Sequence, residues 1–291
     1  MTGKKIIIVY SPGGGNGKSE IAANLAYSLA KEGHRTWMID ANTYAPTLDM
    51  IFGVPINGNT FSEFLMDTNS RDIPWYDLSL LSGKYRDIPL YLTPSNRAVQ
   101  EVRFRMQEVQ NSGDDLAGRI PESVFHKLDD ESIDYLIVDT HPGFELINDI
   151  WLGMTEFLLL VSRINDLDLA NLKAILQEGN VTDIAYKLIV FNNVIVNEQK
   201  QAVRDMEAHE VIDRLEDIHE QEMFENCISE YERLSGNDCG VVDVYDEPFL
   251  YSEKLASWGQ FFNRHGLFVE AEKDDPFSRG IEELSRYIVG L

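Results

Sequence analysis

Apolar runs and amphipathic stretches alternate along most of this chain. Six runs are apolar and continuous, as in buried strands: residues 5–10, 36–40, 90–93, 135–139, 156–162 and 187–192. Six other segments repeat apolar residues at helical spacing: residues 19–32, 61–67, 97–109, 121–128, 168–178 and 275–289. Continuous apolar strands between amphipathic helices predict an α/β fold, with a mostly parallel sheet and helices on both of its faces.

The loop after the first strand is rich in glycine and leads into a helical pattern. Residues 12–19 read Pro-Gly-Gly-Gly-Asn-Gly-Lys-Ser, with Pro12 in place of the usual first glycine. Glycines there let backbone N–H groups approach phosphate oxygens, the lysine reaches the β- and γ-phosphates, and the serine hydroxyl suits Mg²⁺. The pattern predicts a phosphate-binding loop that contains Lys18 and Ser19. The alternative, a flexible turn that contains Gly-Lys-Ser by chance, is disfavoured by the flanking strand and helix.

Polar side chains follow other predicted strands at the same end. Asp40, Asp139 and Asn192 each close a strand, and Asn42 comes two residues after the first of these. Ligands of open α/β sheets bind at the carboxyl ends of the strands, so we expect these side chains to surround the phosphate-binding loop. The carboxylate of Asp139 suits a Mg²⁺-bound water. The amide of Asn192 suits a base edge, because it offers one donor group and one acceptor.

This ordered set of motifs resembles the MinD/ParA family of deviant Walker A P-loop ATPases. The resemblance covers nearly the whole chain and rests on the following segments: residues 14–19, 21–26, 31–35, 39–40, 48–49, 52–53, 138–143, 158–161 and 277–284. It implies a single P-loop ATPase domain over residues 1–291 and a sandwich dimer that forms around ATP.

The resemblance also implies roles for individual residues. Lys18 would contact the phosphates, Ser19 would hold Mg²⁺, and Asp139 would be the Walker B acid that holds Mg²⁺ through water. Asn192 would read adenine. The catalytic set is then Lys18, Asp40, Asn42 and Asp139. The implied ligands are ATP and Mg²⁺, and the nucleotide-binding set is Gly13, Gly14, Gly15, Asn16, Gly17, Lys18, Ser19, Glu20 and Asn192.

Two positions depart from the family pattern. The signature lysine, which crosses the dimer to the partner's phosphates, falls on Gly13, and the second acid of the D-x-D switch falls on Asn42. An amide orients water but is a poor proton acceptor at neutral pH. A missing cation weakens the stabilisation of a phosphoryl group in transfer. We therefore expect nucleotide binding to be retained and ATP hydrolysis to be slow or dependent on a partner.

The charge of the chain is strongly acidic and uneven. Asp and Glu outnumber Lys and Arg by 49 to 25, a net charge of −24. This balance disfavours nonspecific DNA binding and binding to anionic membranes. Residues 197–247 hold 16 acidic and 4 basic residues, which is half of the net charge. Helical spacing of apolar residues over 198–239 predicts an acidic helical insertion, which is either a solvated segment packed on the main domain or a docking element for a protein partner.

Three weaker signals each leave two interpretations open. His141 is either a structural histidine at a strand end or a group near the γ-phosphate. Lys84, Arg86, Arg97, Arg103 and Arg105 form a modest basic cluster. Its part from Arg97 to Arg105 is either a solvated basic face or a site for a partner or a substitute cation. The two cysteines, Cys227 and Cys239, lack C-x-x-C spacing and are either ordinary cysteines or metal ligands across a dimer.

Composition places the chain in a broad class. Hydrophobic residues make up 44% of it, which is ample for a packed core, and no stretch is apolar enough for a membrane-spanning helix. The two cysteines are too few for a disulfide framework, and no secretory signal is visible. These features predict a cytoplasmic protein.

The predicted function combines the nucleotide site with the family resemblance. We expect an ATP-binding protein that dimerises with nucleotide and positions or assembles a cellular machine, such as a division site, a partition apparatus, a pilus or a secretion complex. One alternative is a pseudo-ATPase scaffold that binds nucleotide without turnover, which Gly13 and Asn42 favour. A second alternative is a metal-insertion chaperone, which only the two cysteines support.

Overall fold

The structure, a computed structural model, describes most of the 291-residue chain. The described residues are 5–54, 58–96, 101, 104, 116–143, 146–194, 226, 229, 240–245, 248–258 and 267–291. The predicted helix over 97–109 and the predicted acidic insertion over 198–239 lie almost wholly outside them, as do Cys227 and Cys239.

The apolar runs form the strands of one large sheet. Its strands are β1 Lys5–Tyr10, β2 Thr36–Asp40, β3 Tyr76–Asp77, β4 Leu90–Thr93, β5 Tyr135–Asp139, β6 Phe157–Ser162, β7 Tyr186–Val194, β8 Val241–Val244 and β9 Phe249–Leu250. The order across the sheet is β3-β4-β2-β5-β1-β6-β7-β8, and β9 also pairs with β7. Among the described strands every pair is parallel except β3 with β4. The mostly parallel sheet predicted from the sequence is confirmed.

Helices fill most of the connections between strands. In chain order they are α1 Lys18–Lys31, α2 Leu48–Phe52, α3 Phe61–Met66, α4 Leu78–Leu81, α5 Leu116–Asp130, α6 Leu146–Leu152, α7 Asp166–Leu176, α8 Gly179–Thr182, α9 Glu253–Trp258, α10 Phe268–Ala271 and α11 Pro276–Gly290, with a 3₁₀ turn at Gly83–Tyr85. None of the helices in the described parts of the chain is long and apolar enough to cross a membrane.

Helix α5 begins five residues earlier than its sequence pattern predicts. The apolar pattern of the sequence places the start at Pro121, a residue type that favours the first turn of a helix. In the structure Pro121 lies inside the helix. The turn before Pro121 is helical because one face of the helix is buried against the sheet. The residues on that face recur every four positions: Leu116, Ile120, Val124 and Leu128.

The sheet separates two hydrophobic cores. Successive side chains of a strand point to opposite faces, so β1 sends Ile6, Ile8 and Tyr10 into one core and Ile7 and Val9 into the other. Helices α5, α6 and α7 cover the first core, and α1 and α11 cover the second. Helices therefore pack on both faces, as the sequence predicts.

Strands β7 and β8 constrain the long segment that joins them. They are parallel neighbours, and Tyr186 at the start of β7 is the partner of Val241 at the start of β8. A chain that leaves β7 at Val194 must therefore return along the whole strand, about 26 Å, before it enters β8. The two strand ends are joined through residues 195–240, so any replacement of part of this segment has to span that distance.

Entry into β8 depends on Gly240. Its φ is +70°, in the left-handed region, and a Cβ at this position would lie 2.3 Å from the carbonyl oxygen of Ile184 and 2.8 Å from that of Ala185. Both obstacles are backbone atoms just before the start of β7, which a side chain cannot displace cheaply. Only glycine lets β8 approach β7 here.

We predict that Gly240→Ala lowers the free energy of unfolding by about 2–4 kcal/mol, because it adds backbone strain to a steric clash. Chemical denaturation of purified protein measures the change. The control is Gly179→Ala, since the added Cβ there meets nothing within 4 Å and its φ is not in the left-handed region. Equal denaturation midpoints for the two variants would contradict the prediction.

Candidate functional site

Strand order brings the predicted polar residues to one edge of the sheet. β5 lies between β1 and β2, so Asp139 is the ladder partner of both Val9 and Asp40. The phosphate-binding loop leaves β1 at this edge, and Asn192 lies near the end of β7 at the same edge. The structure thus collects residues that are far apart in the sequence.

The backbone of the glycine-rich loop fits an anion. Gly15 and Gly17 have φ values of +78° and +84°, which glycine adopts without strain. Gly17 precedes α1, and no described side chain caps the first turn of that helix. The first N–H groups of a helix have no partner within the helix, and they attract negative charge. The start of α1 is therefore suited to phosphate oxygens.

Asn192 packs directly on this loop. Its amide nitrogen donates a hydrogen bond of 2.8 Å to the carbonyl oxygen of Asn16. A Cβ at Gly17 would lie 2.2 Å from the same nitrogen, so a side chain there would displace the Asn192 amide. Asn192 therefore holds the loop against β7, a role that the sequence did not indicate. The reading of adenine by Asn192 stays a prediction. The amide nitrogen already donates to Asn16, so only the amide oxygen would be available to accept a hydrogen bond from a base.

Ser19 and Asp139 form the predicted metal pair. The Ser19 hydroxyl donates a 2.5 Å hydrogen bond to Oδ2 of Asp139. Burial raises the pKa of Asp139 to about 6, although the positive charge of Lys18 and the Ser19 hydrogen bond both oppose the rise. Lys18 is only 6% exposed. Burial lowers its pKa, and the charge of Asp139 opposes that change. A carboxylate and a hydroxyl oxygen are the hard ligands that Mg²⁺ prefers.

Several buried polar atoms around the loop have no hydrogen-bond partner among the described residues. They are both amide atoms of Asn16, Oδ1 of Asp139 and Oδ1 of Asn192. Each buried unpaired polar atom costs about 1–3 kcal/mol. A nucleotide with its Mg²⁺ supplies donors, acceptors and charge at this place, so the residues present fit that ligand.

Asp40 organises the loop that follows β2. It is fully buried, and its Oδ2 accepts hydrogen bonds from the backbone N–H groups of Thr47 (3.0 Å) and Leu48 (3.1 Å). Its Oδ1 accepts from the N–H of Asn42 at 3.2 Å. Burial, and then the charge of Asp139, hold the pKa of Asp40 well above its ordinary value. The carboxylate is thus committed to shaping the loop and the start of α2.

Asn42, at the position of the second switch acid, is turned into its own loop. Its side-chain oxygen accepts a hydrogen bond of 3.2 Å from the N–H of Ala45. In the same loop the ring of Tyr44 contacts the ring of His141 edge-on, with centroids 4.5 Å apart. This contact joins the loops after β2 and β5. Sequence reasoning missed it, because no local signal relates two residues so distant in the chain.

Glu20 lies in the first turn of α1, beside the metal pair. Burial raises the pKa of Glu20 to about 7, the hydrogen bond from Asn24 opposes the rise, and the charge of Asp139 adds to it. A carboxyl group at this place is partly protonated at neutral pH. That state limits its repulsion of phosphate, which is compatible with its predicted place in the nucleotide-binding set.

Gly13, at the position of the signature lysine, lies beside a buried carboxylate. A Cβ at Gly13 would be 3.7 Å from Oδ1 of Asp168. Oδ2 of Asp168 accepts hydrogen bonds from Nε of Arg163 at 2.8 Å and from the amide of Asn165 at 2.7 Å. Sequence analysis singled out neither Arg163 nor Asp168. The available signal was that Arg163 immediately follows a strand, β6.

The metal-chaperone alternative is not addressed by the described residues. Among them, no group of three or more His, Cys, Asp and Glu side chains is placed to hold a metal ion. Cys227 and Cys239 lie outside the described residues, so that interpretation rests on the sequence alone.

Sequence comparison matches the chain to a protein family and to named bacterial proteins. A family model described as an AAA domain matches residues 4–188. The flagellum site-determining protein YlxH of Helicobacter pylori is 29% identical over 162 residues, which are 54% of this chain and 48% of that protein. An iron-sulfur cluster carrier protein of Rickettsia bellii is 28% identical over 153 residues, which are 53% of this chain and 40% of that protein. The matches thus span about half or less of these relatives.

Structural comparison extends the likeness over the full chain. The septum site-determining protein MinD of Pyrococcus horikoshii, solved in complex with Mg-ADP, superposes with a TM-score of 0.64 at 15% identity. The superposition covers 98% of this chain and 96% of that one. The predicted MinD/ParA resemblance is therefore confirmed at the level of the fold. Because the family model spans well over half of the chain, this protein belongs to that AAA-domain family.

Proposed function

We propose that this protein binds ATP with Mg²⁺ at the glycine-rich loop, dimerises in the nucleotide-bound state, and positions or assembles a cellular machine. One observation is the main support for the proposed nucleotide site. Buried polar atoms of Asn16, Asp139 and Asn192 surround the loop without partners among the described residues. A polar ligand removes this cost, which an empty structural loop would retain.

Each residue around the loop has a physical task in this proposal. The ammonium group of Lys18, held in place by burial and by the charge of Asp139, meets the phosphates. Ser19 and Asp139 present two oxygens side by side for Mg²⁺. The bound Mg²⁺ supplies positive charge that neutralises the phosphates. Asn192 keeps the loop in its phosphate-binding shape through Asn16.

The hydrolytic part of the site supports slow or partner-dependent turnover. A general base needs a proton-accepting atom within reach of the attacking water. The Asp40 carboxylate is occupied by three backbone N–H groups, and the Asn42 oxygen is occupied by Ala45. The same observation favours the pseudo-ATPase scaffold as the second candidate. Measured turnover separates the two.

The spatial role rests on the names of relatives. The Helicobacter pylori relative is named for a flagellum site and the Pyrococcus horikoshii protein for a septum site. Both names describe the placing of a structure in the cell. The Rickettsia bellii relative is named as an iron-sulfur cluster carrier, which keeps cluster or metal delivery as an alternative. Stoichiometric iron binding by Cys227 and Cys239 would favour that alternative.

The acidic segment is proposed as the docking element for a protein partner. Residues 197–247 carry a net charge of −12, from 16 acidic and 4 basic residues. A segment that repels itself so strongly is costly unless it is solvated or meets a basic partner. A basic protein surface is therefore the chemistry that this segment fits.

We predict that Lys18→Ala weakens ATP binding by about a hundredfold, because the phosphates lose a charge-assisted contact in a buried site. Titration calorimetry with ATP and Mg²⁺ measures the affinity. Lys31→Ala is the matched control, since Lys31 is in the last turn of the same helix and its side chain is half exposed. Unchanged affinity in the Lys18 variant would reject the nucleotide site.

We predict that Asn42→Asp raises ATP turnover by about tenfold or more, because a carboxylate accepts a proton that an amide cannot. Phosphate release at saturating ATP measures the rate. Gly13→Lys is tested alone and combined with Asn42→Asp, since it adds the other group of the family pattern. A wild type that turns over as fast as the double variant would disprove the argument about missing groups.

We predict that replacing residues 198–239 with a Gly/Ser linker removes binding to the protein partner and preserves ATP affinity. The linker needs about 20 residues, because it must return about 26 Å along β7 before it enters β8. Co-purification at rising salt measures partner binding, which should weaken as exposed charges are screened within about 8 Å. Loss of ATP binding in a folded variant would place the segment in the nucleotide site or in the dimer interface instead.

A further inference from the structure

Position 13 has room for a side chain, although it carries none. The nearest atom to a Cβ at Gly13 is Oδ1 of Asp168 at 3.7 Å, an ordinary van der Waals distance. The φ of Gly13 is not in the left-handed region that favours glycine. Neither the backbone nor the packing therefore requires glycine here. What the position lacks is a positive charge, and the adjacent buried carboxylate is placed to hold one.

The carboxylate beside position 13 already holds an arginine. Asp168 is 3% exposed, and a buried carboxylate needs a cation or strong donors. Arg163 provides the cation through Nε at 2.8 Å. Arg163 directly follows β6, and β6 pairs with β1, the strand that leads into the phosphate-binding loop. The guanidinium group is thus delivered to the same edge of the sheet as the loop.

Arg163 keeps capacity for a further ligand. Its Nε is used by Asp168, while the two terminal nitrogens carry the other four N–H donors of the guanidinium group. The side chain remains 43% exposed. A guanidinium group presents its donors in a planar fork that matches phosphate oxygens and stays charged at physiological pH. These properties are those of a phosphate ligand that is already held in position.

We propose that Arg163, positioned by Asp168, supplies to the phosphates of the bound nucleotide the positive charge that Gly13 does not. The proposal rests on ATP binding at the glycine-rich loop and assigns a cation that the family pattern places elsewhere. Asp168 is the positioning residue. Its Oδ2 holds Arg163 and its Oδ1 faces position 13, so one carboxylate connects the arginine to the edge of the loop.

A purely structural role for this pair makes different predictions. Asn165 caps α7 by accepting a hydrogen bond of 3.0 Å from the N–H of Asp168, and its amide also bonds the Asp168 carboxylate. If Arg163 only stabilises this turn, its loss lowers the unfolding midpoint and affects ATP and ADP equally. If it binds phosphate, its loss affects ATP more, because the γ-phosphate carries additional negative charge.

The first experiment uses Arg163→Gln, which removes the charge and keeps a donor for Asp168. We expect affinity for ATP with Mg²⁺ to fall by about tenfold or more, affinity for ADP to fall less, and the ATP-dependent dimer to need a higher protein concentration. Calorimetry and sedimentation velocity are the two readouts. Arg35→Gln is the matched control: Arg35 also faces a carboxylate, Glu131 at 3.9 Å, with a similarly exposed side chain, but it precedes β2 at the opposite end of the sheet.

The second experiment moves the positive charge from position 163 to position 13. Gly13→Lys in the Arg163→Gln background should restore most of the ATP affinity, because the new ammonium group lies beside Asp168 and the loop. Arg163→Lys, which keeps the charge and loses the fork, should bind ATP with intermediate affinity. It also serves as the test variant if Arg163→Gln does not fold.

The outcomes separate this proposal from the proposed function. A wild type that binds no ATP contradicts both. A wild type that binds ATP, with Arg163→Gln binding it equally well, overturns the role of Arg163 and leaves the nucleotide site intact. Equal losses for ATP and ADP, together with a lower unfolding midpoint and no rescue by Gly13→Lys, would make the pair structural and would also overturn the proposal.

Discussion

Two carboxylates lie side by side at the ends of adjacent parallel strands, and the rest of the site depends on their placement. Asp40 and Asp139 are ladder partners and are fully buried. Carboxylates in this position are costly to ionise without compensating groups. Asp40 accepts hydrogen bonds from backbone N–H groups of the loop after β2, and Asp139 accepts one from the Ser19 hydroxyl. The cost of burial thus fixes both the loop after β2 and the start of α1 against the sheet.

At the same edge of the sheet, the polar groups that shape the loops have hydrogen-bond partners. Several polar atoms around the glycine-rich loop, where a nucleotide fits, do not. Asn192 secures the glycine-rich loop from the side of β7, while buried polar atoms of Asn16, Asp139 and Asn192 have no partner among the described residues. The Tyr44–His141 contact links the loops after β2 and β5. Asp139 and Asp40 interact electrostatically, and Asp40 holds the loop after β2 through its hydrogen bonds to Thr47 and Leu48.

The main strands and helices could be predicted from the sequence because burial requires apolar residues at regular positions along each element. The strands over 5–10, 36–40, 90–93 and 135–139 match their predicted bounds, since each is a continuous apolar run that ends at a polar residue or a turn. Helix α5 differs because burial of Leu116 and Ile120 outweighs the preference of proline for a first turn. The strands β3 and β9, of two residues each, have no pattern long enough to detect.

The sequence by itself determined the fold class, the glycine-rich loop and the polar residues that close the strands. Each is encoded within a few neighbouring positions, by burial, backbone freedom or residue type. Only the tertiary structure decided that Asn192 bonds Asn16, that Asn42 turns into its own loop, and that Asp168, which holds Arg163, lies beside Gly13. Two of these arrangements join residues more than a hundred positions apart. Strand order, register and loop closure bring such residues together, and these depend on the packing of the whole sheet rather than on any local run of amino acids.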